Sequence, residues 1–324
     1  MEGELPARSP SITAVVTCHN QAPFVLEALA SIAAQERRPD QLVVVDDGST
    51  DGSQSAVAAW LEHSEIPSTL IANGSNVGIC RVMNLALEKA TGDYIAVLHG
   101  DDVWLPNKLR LQAAALDATS DDVSLVYSDA EVIDEHGRPL EPSVLDRYGV
   151  PRPRPSGQVT AQILDRTLQL AGHATLIKRA WLDKVGPYDE RLRAEDYSMW
   201  LRLALRSQFV FVDAVVAKWR VVPTSLSHVL ASVYLQDDLL TITSLVDAGA
   251  EPRQLLLRHQ ALIASHLYRR GPQARAALRA RIRHEQPLRA AALALLTVGG
   301  LVPQGLGVAA RVKRLAGLRH MALD

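Results

Sequence analysis

The chain contains 324 residues, of which 48% are hydrophobic and 22% are charged, and it has a formal net charge of −2. This length and composition predict a soluble globular protein that forms either one large domain with an appendage or two modest domains. Its only cysteines, Cys18 and Cys80, exclude a disulfide framework and are consistent with a reducing cytoplasm.

The sequence has no recognisable signal peptide or membrane-spanning segment. Residues 1–11 are polar, and the apolar run that follows them is only as long as a strand. The longest apolar stretch begins at Ala290 and is broken by glycine and proline before it reaches the roughly 18 residues that cross a bilayer. We therefore expect a cytoplasmic protein.

Short apolar segments alternate with segments of helical spacing in the first hundred residues. Strands that alternate with helices predict a mostly parallel sheet with right-handed crossovers, which is an α/β fold. The predicted strands span residues 12–17, 41–46, 68–72 and 94–99, and the predicted helices span residues 22–35, 54–62 and 78–90.

Three of these predicted strands end in polar residues. The polar clusters are residues 17–20, 46–49 and 100–102. In open α/β sheets, ligands bind beyond the carboxyl ends of the strands, at one edge of the sheet. We therefore expect the three clusters to form a single binding site.

The remainder of the chain mixes strands and helices before it becomes helical. The stretch 139–157 is rich in proline and arginine, has no pattern of its own, and is either a lid or a disordered connector. These features divide the chain into a domain at 1–225 and a helical, basic region at 226–324. The predicted helices here are 105–118, 179–185 and 197–206, and the predicted strands are 124–128, 171–178, 209–212 and 215–219.

Asp101 and Asp102 follow the fourth predicted strand as adjacent carboxylates. Two such groups at a sheet edge repel each other and suit a divalent metal, because Mg²⁺ and Mn²⁺ bind carboxylate oxygens together with substrate phosphates. The alternative is a helix cap, since an aspartate ahead of the helical pattern at Pro106 can accept hydrogen bonds from a first turn. The pair alone does not decide between the two.

Two further acidic pairs allow the same double interpretation. Asp46 and Asp47 either cap the next helix or accept hydrogen bonds from a nucleobase or a ribose. Glu195 and Asp196 either stabilise the first turn of a helix through its dipole or supply a general base to an acceptor hydroxyl. Each pair is a weak signal when it is taken by itself.

The order and spacing of these clusters resemble the inverting glycosyltransferases of family 2, which have the GT-A fold. The resemblance implies a Rossmann-like, mostly parallel sheet flanked by helices, with a C-terminal helical extension. It also implies an enzyme of hexosyltransferase type that moves a sugar from a nucleoside-diphosphate sugar to an acceptor hydroxyl. It covers roughly residues 11–225 and depends on blocks at 17–20, 44–51, 76–78, 92–95, 100–109, 185–190 and 195–203.

The resemblance assigns roles on the donor side of this site. It implies that Thr17, His19 and Asp47 line the nucleobase and ribose pocket, with Asp46 beside them. It also implies that Arg81, in the helix after the Asn-Val-Gly block, approaches the phosphates.

The resemblance also assigns the metal and the catalytic groups. Asp102 is implied to bind the Mn²⁺ or Mg²⁺ that bridges the diphosphate, and Asp101 to bind ribose or the same metal. Asp196 is implied to be the catalytic base, and Glu195 to contact the acceptor or to orient the loop. The expected reaction is a single in-line displacement with inversion.

Four histidines mark departures or open assignments. His99 occupies the first position of the family's Asp-X-Asp-Asp motif, and His19 stands where relatives often have tyrosine. His173 either contacts acceptor or phosphate, or is a core histidine. His228 is either an extra metal ligand or a surface residue.

Two other functions fit parts of the pattern. A sugar-nucleotide pyrophosphorylase would need a glycine-rich loop with arginine and lysine after the first strand, and residues 17–21 provide none. A non-catalytic nucleotide-sugar-binding protein is disfavoured by the presence of both Asp102 and Asp196.

The charged residues are distributed unevenly. Residues 1–252 carry 21 basic and 34 acidic side chains, whereas residues 253–324 carry 13 basic and 2 acidic ones. Basic residues around the short apolar run at 290–296 suit an anionic membrane surface, and a solvated arginine-rich helix face is the alternative. We expect peripheral contact with the inner face of the cell membrane. We also expect a role in bacterial surface polysaccharide or glycolipid synthesis, with a UDP-sugar as donor, a glycan or lipid-linked glycan as acceptor, and no nucleic acid partner.

Overall fold

The computed structural model describes residues 9–222 and 231–251. It contains nine strands: β1 (Ile12–Cys18), β2 (Gln41–Asp46), β3 (Ser68–Ala72), β4 (Tyr94–His99), β5 (Val103–Trp104), β6 (Val123–Ile133), β7 (Pro139–Glu141), β8 (Thr175–Lys178) and β9 (Gln208–Arg220). Its α-helices are α1 (Val25–Ala33), α2 (Ser53–Leu61), α3 (Ile79–Lys89), α4 (Lys108–Asp117), α5 (Val144–Arg147), α6 (Thr160–Leu164), α7 (Arg179–Val185), α8 (Asp196–Ala204) and α9 (Ala231–Asp247).

All nine strands belong to one mixed sheet. Its order is β3-β2-β1-β4-β8-β6-β9-β5, and β7 pairs with β6. The first four strands are mutually parallel, as predicted from the alternation of strands and helices. β8 then runs antiparallel to both β4 and β6.

The parallel strands are short apolar runs because helices cover both faces of the sheet. All seven residues of β1 are buried. Alternate residues of this strand point to opposite faces, so Val15 belongs to one hydrophobic cluster, whereas Ala14 and Val16 belong to the other. The two clusters hold the parallel strands rigidly, and their polar carboxyl ends therefore have fixed positions.

The second half of the chain departs from the predicted elements at three places. β9 is one strand rather than two, because the break in its pattern coincides with an irregular register against Tyr127–Asp129 of β6. Helix α4 begins at Lys108 rather than at residue 105, because β5 first pairs with β9. The predicted strand at 171–178 begins only at Thr175, after a 3-10 turn at Gly172–Ala174.

The proline- and arginine-rich stretch 139–157 has a defined structure that includes β7 and α5. Arg154 anchors it, with a side chain that is only 3% exposed. Its guanidinium lies 2.6 Å from Asp146 Oδ1 and 3.6 Å from Asp129 Oδ2, and it donates to the carbonyl of Val150. A disordered connector is therefore wrong for this stretch, because the buried guanidinium needs all of these partners.

Helix α9 packs against α8 and the loop before it. Asp238 accepts two hydrogen bonds of 2.5 Å from Arg166, and Asp237 accepts one of 2.6 Å from the backbone N–H of Arg193. In the part of the chain that the structure describes, no helix is both long enough and apolar enough to cross a bilayer. His228 and the basic segment after residue 252 lie outside the described residues.

Candidate active site

The polar ends of β1, β2 and β4 meet at one edge of the sheet. Gly100 N–H donates to the carbonyl of Thr17 at 2.9 Å, and Asp47 N–H donates to the carbonyl of Cys18 at 2.8 Å. The prediction that the three polar clusters converge is confirmed. The strands that end at this edge are buried, so the sheet fixes the positions of the polar residues at the edge.

Asp47 fixes the neighbouring loop at 73–78. Its Oδ1 accepts hydrogen bonds from the Asn73 side chain and from Val77 N–H, both at 2.9 Å, and its Oδ2 accepts one from Gly78 N–H at 3.1 Å. Asp47 therefore fixes the loop at one side of the predicted nucleotide pocket. Only the carboxylate lone pairs that these hydrogen bonds leave free could accept a hydrogen bond from a ligand.

Gly48 makes the close approach of this loop feasible. Its φ is +69°, and a Cβ on it would lie 2.5 Å from the carbonyl carbon of Ser75. Both the backbone conformation and the space available therefore require glycine.

Asp46 is fully buried beside this loop. Its Oδ2 accepts a hydrogen bond from Ser49 N–H at 3.0 Å, whereas its Oδ1 has no partner among the described residues. A buried carboxylate oxygen without a partner costs stability, which favours a ligand-binding role. Neither Asp46 nor Asp47 caps α2. The N-cap of α2 is Gly52, and Asp51 just before it accepts a hydrogen bond from Ser53 N–H at 3.0 Å.

His19 extends the same rim. Its Nδ1 donates to the carbonyl of Asp47 at 2.7 Å, which leaves Nε2 as the acceptor facing the Asn20 amide at 3.2 Å. Arg81 lies at the other end of the rim, 3.2 Å from Glu190. In this structure Arg81 therefore joins α3 to the loop before α8.

Asp102 lies at the centre of the edge and is 3% exposed. Its Oδ1 accepts from the backbone N–H of Arg220 at 2.8 Å, and its Oδ2 lies 3.1 Å from Nδ1 of His173. The helix-cap alternative for this pair is wrong, because β5 follows Asp102 and α4 begins only after Asn107.

Arg220 is a site residue to which the sequence assigned no role. Its Nε donates to the carbonyl of Asp101 at 2.8 Å, and its Nη2 lies 2.6 Å from Glu27 of α1. It is 2% exposed, so its position is set by these contacts. Only the fold shows that Arg220 holds the Asp101–Asp102 pair in place.

His99 links the donor edge to the second acidic pair. Its Nδ1 lies 2.8 Å from Thr17 Oγ1, and its Nε2 lies 3.4 Å from Glu195 Oε1. Burial lowers the pKa of His99, but the hydrogen bond and charge of Glu195 outweigh burial and raise the pKa to about 10. His99 therefore carries a positive charge where the family motif has an acidic residue.

Asp196 begins helix α8 directly after Glu195. Burial and the charge of Glu195 raise the pKa of Asp196 to about 8, against the lowering effect of His99. A Cβ on Gly172 would lie 3.0 Å from Asp196 Oδ1, so this carboxyl rests on the 3-10 turn. A carboxylate with a pKa near the working pH suits a general base.

His173 stands on the same turn and is 4% exposed. Its Nδ1 faces Asp102, and its buried Nε2 has no partner among the described residues. The turn thus contacts both acidic pairs, through His173 on one side and Gly172 on the other. Asp102 and Asp196 therefore lie against the same turn.

A divalent cation fits the Asp101–Asp102 pair on charge. Burial and the negative charge of Asp102 raise the pKa of Asp101 to about 6, so the two carboxyls repel each other in the absence of a cation. Within the described ranges, no group of three or more His, Cys, Asp or Glu residues is arranged as a metal site. One or two carboxylates are enough, however, when a diphosphate supplies further oxygen ligands.

The sequence was compared with known proteins. The profile of the family described as Glycosyl transferase family 2 matches residues 13–186. An uncharacterized glycosyltransferase of Rickettsia prowazekii is 27% identical over 220 residues, covering 66% of this chain and 64% of the relative. The UDP-Glc:alpha-D-GlcNAc-diphosphoundecaprenol beta-1,3-glucosyltransferase WfgD of Escherichia coli is 23% identical over 219 residues, covering 67% of this chain and 79% of the relative. The chain spans about one third to two thirds of the length of the first curated relatives that it matches.

The fold matches solved glycosyltransferase structures. Residues 1–349 of TarS from S. aureus, in complex with UDP-GlcNAc, superpose with a TM-score of 0.64 at 18% identity, covering 94% of this chain and 88% of that fragment. The mannosyltransferase PcManGT of Pyrobaculum calidifontis, in complex with GDP-Man and Mn²⁺, gives a TM-score of 0.59 at 23% identity, covering 97% of this chain and 87% of that one. These matches confirm the predicted GT-A fold.

Proposed function

Because the chain belongs to glycosyl transferase family 2, we propose that it transfers a sugar from a nucleoside-diphosphate sugar to an acceptor hydroxyl, with inversion at the anomeric carbon. One observation carries the proposal more than any other. Two buried carboxyls lie against the same Gly172–Ala174 turn: Asp196, with a pKa of about 8, beside Gly172, and Asp102 beside His173. A base and a diphosphate-binding site are the two things that such a displacement needs.

The donor is proposed to lie along the edge formed by β1, β2 and β4. Thr17, His19, Asp46 and Asp47 would hold the nucleobase and ribose, and the unpartnered oxygen of Asp46 supports this assignment. Arg81 would reach the phosphates after leaving Glu190. UDP is the proposed nucleotide, because the UDP-sugar named for WfgD and the UDP-GlcNAc bound to TarS are the donors of two similar proteins.

The proposed cofactor is Mn²⁺ or Mg²⁺, held by Asp102 and shared with Asp101. A bound cation of this kind neutralises the charge that develops on the diphosphate leaving group. The protein contributes the position of the carboxylates, since Arg220 holds the backbone of Asp101 and one oxygen of Asp102.

The proton of the acceptor hydroxyl is proposed to pass to a carboxylate oxygen of Asp196. The acceptor oxygen then forms its bond to the anomeric carbon while the bond from that carbon to the diphosphate oxygen breaks on the opposite side. Glu195 raises the basicity of Asp196 through its negative charge. His99 contacts Glu195, and the positive charge of His99 lowers the pKa of Asp196, which limits the effect of Glu195.

The proposed acceptor is a glycan or a lipid-linked glycan of the bacterial surface. The name of WfgD describes an acceptor linked to diphosphoundecaprenol, which supports a lipid-linked acceptor for this chain as well. We also propose a cytoplasmic location with peripheral contact through the basic region at 253–324. Binding to anionic vesicles at low salt tests this contact, and a chain that stays in the supernatant contradicts it.

The test of the proposed function has two steps. A thermal-shift screen of UDP-, dTDP- and GDP-sugars, with and without Mn²⁺, identifies the donor that stabilises the protein most. Release of the nucleoside diphosphate from that donor is then measured with glycan and lipid-linked glycan acceptors. Stabilisation without any turnover would favour a non-catalytic sugar-nucleotide-binding protein, and stabilisation by none of the donors would contradict the proposal.

A further inference from the structure

Three successive backbone carbonyls next to the site are each held by a buried side chain. Trp104 Nε1 donates to the carbonyl of His173 at 3.0 Å, and Gln112 Nε2 donates to that of Ala174 at 2.7 Å. Lys108 Nζ donates to the carbonyl of Thr175 at 2.8 Å. The three donors are spaced four residues apart, directly after the Asp101–Asp102 pair. We call them the carbonyl clamp.

The clamp grips the turn that touches both acidic pairs. Asp102 Oδ2 lies 3.1 Å from His173 on this turn. Asp196 Oδ1 would lie 3.0 Å from a Cβ on Gly172, at the start of the same turn. The turn therefore sets the separation of the proposed metal ligand from the proposed base.

Lys108 is the unusual member of the clamp, because it is completely buried. Its partners among the described residues are two neutral oxygens, Thr175 O and Gln112 Oε1, the latter at 2.6 Å. Burial holds the pKa of Lys108 well below its ordinary value. Its Nζ donates to both of these oxygens and lies 4.7 Å from the centre of the Trp104 ring.

The lysine at this position supplies two buried hydrogen bonds that an apolar side chain could not make. A methionine of similar length would fill the same space without the cost of desolvating an amine. What the lysine adds is a donor that reaches Thr175 and Gln112 together, and Gln112 in turn holds Ala174 and Ser128. Through its bonds to Thr175 and Gln112, Lys108 therefore supports the residues at the end of the Gly172–Ala174 turn.

We propose that Lys108, acting with Trp104 and Gln112, is a positioning residue that fixes Asp196 relative to Asp102 through the Gly172–Ala174 turn. This inference rests on the proposed function, because it assigns Asp196 as the base. Lys108 touches neither acidic pair and acts only through the turn.

The first test is Lys108→Met in the full chain, with Lys184→Met as the matched control. Lys184 also lies over a tryptophan, 4.0 Å from the ring centre of Trp181, but it is exposed and belongs to α7 rather than to the carbonyl clamp. We expect Lys108→Met to lower kcat per folded molecule by about 10- to 100-fold, as a small displacement of a catalytic group does. The KM for the donor should stay within about twofold, and Lys184→Met should leave both values unchanged.

Two milder variants cover the case in which Lys108→Met does not fold. Trp104→Phe keeps one aromatic ring but removes the N–H that holds His173, together with the second ring of the indole. Gly172→Ala places a methyl group against Asp196 without a positive φ at that position. Both should reduce kcat more than KM. Any of these variants that keeps the wild-type kcat per folded molecule overturns the proposal.

Hydrogen–deuterium exchange separates a failure of this inference from a failure of the proposed function, since it needs no turnover. Lys108→Met should speed exchange in peptides that cover residues 172–178 and leave peptides of β1 and β2 unchanged. Unchanged exchange at the turn overturns the clamp even in an active enzyme. Faster exchange there in a protein without transferase activity supports the clamp and contradicts the proposed function.

Discussion

The pH dependence of turnover follows from the pKa of Asp196. Burial and the charge of Glu195 raise this pKa to about 8, so the base is protonated and inactive over much of the neutral range. By the titration equation, about one tenth of the carboxyl is ionised at pH 7 and about nine tenths at pH 9. The kcat/KM for the donor, which reports ionisations of the free enzyme, should therefore rise about tenfold between these two values.

A second ionisation should steepen the profile at lower pH. Burial and the charge of Asp102 raise the pKa of Asp101 to about 6, so below this value both acidic groups become protonated and the rate should fall more steeply. The assay is release of the nucleoside diphosphate between pH 5 and pH 9.5 at a fixed acceptor concentration well below saturation.

The control for the pH profile is Asp196→Asn. The pH profile of its residual activity should lack the rise with a midpoint near pH 8 and keep the rise with a midpoint near pH 6. A wild-type profile that is flat from pH 6 to pH 9, or a midpoint near the ordinary pKa of an aspartate, would refute the assignment of the base.

Three further predictions concern stability and metal binding. Asp196→Asn should unfold at a higher temperature than wild type at pH 8.5 but not at pH 4. The reason is that a carboxyl with a raised pKa contributes stability at low pH that is lost as the pH rises from about 4 to about 8. Differential scanning calorimetry at both pH values checks this. Gly48→Ala should lower the free energy of unfolding by about 2 kcal/mol or more in urea titrations, because φ is +69° and the backbone of Ser75 is in the way, whereas Gly74→Ala, with open space around its Cβ, should cost far less. Asp102→Asn should remove at least about 90% of the Mn²⁺-dependent gain in donor affinity by calorimetric titration, and an unchanged gain would exclude Asp102 as a ligand.

The parallel half of the fold could be predicted from the sequence because each strand has a local pattern. β2, β3 and β4 have the predicted bounds, since a short apolar run between polar turns is read without knowledge of its neighbours. β5 could not be predicted, because two residues have no periodicity and their strand geometry comes from pairing with β9. The same pairing delays the start of α4.

The candidate site divides in a similar way. Asp102 and Asp196 were found from motifs of adjacent residues, and the order of the strands brought them together. The partners of Asp102 lie far away in the sequence, since Arg220 is 118 positions later, and no local pattern connects the two. Lys108 belongs to the block at 100–109 that carries the resemblance, but the sequence assigned it no role, because a lysine four residues before a glutamine looks like an ordinary helix surface until its burial is known.

The central claim is that Asp196 is the base of a sugar transfer whose donor is bound elsewhere in the site. The most direct measurement compares Asp196→Asn with Asp183→Asn, an exposed aspartate on α7 whose side chain is 66% exposed. Donor affinity is measured by calorimetry with Mn²⁺, and transfer is measured by release of the nucleoside diphosphate. Asp196→Asn should lose at least about 99% of transfer and keep its donor affinity within about twofold, while Asp183→Asn should keep both. Full transfer by Asp196→Asn would contradict the assignment of Asp196 as the base.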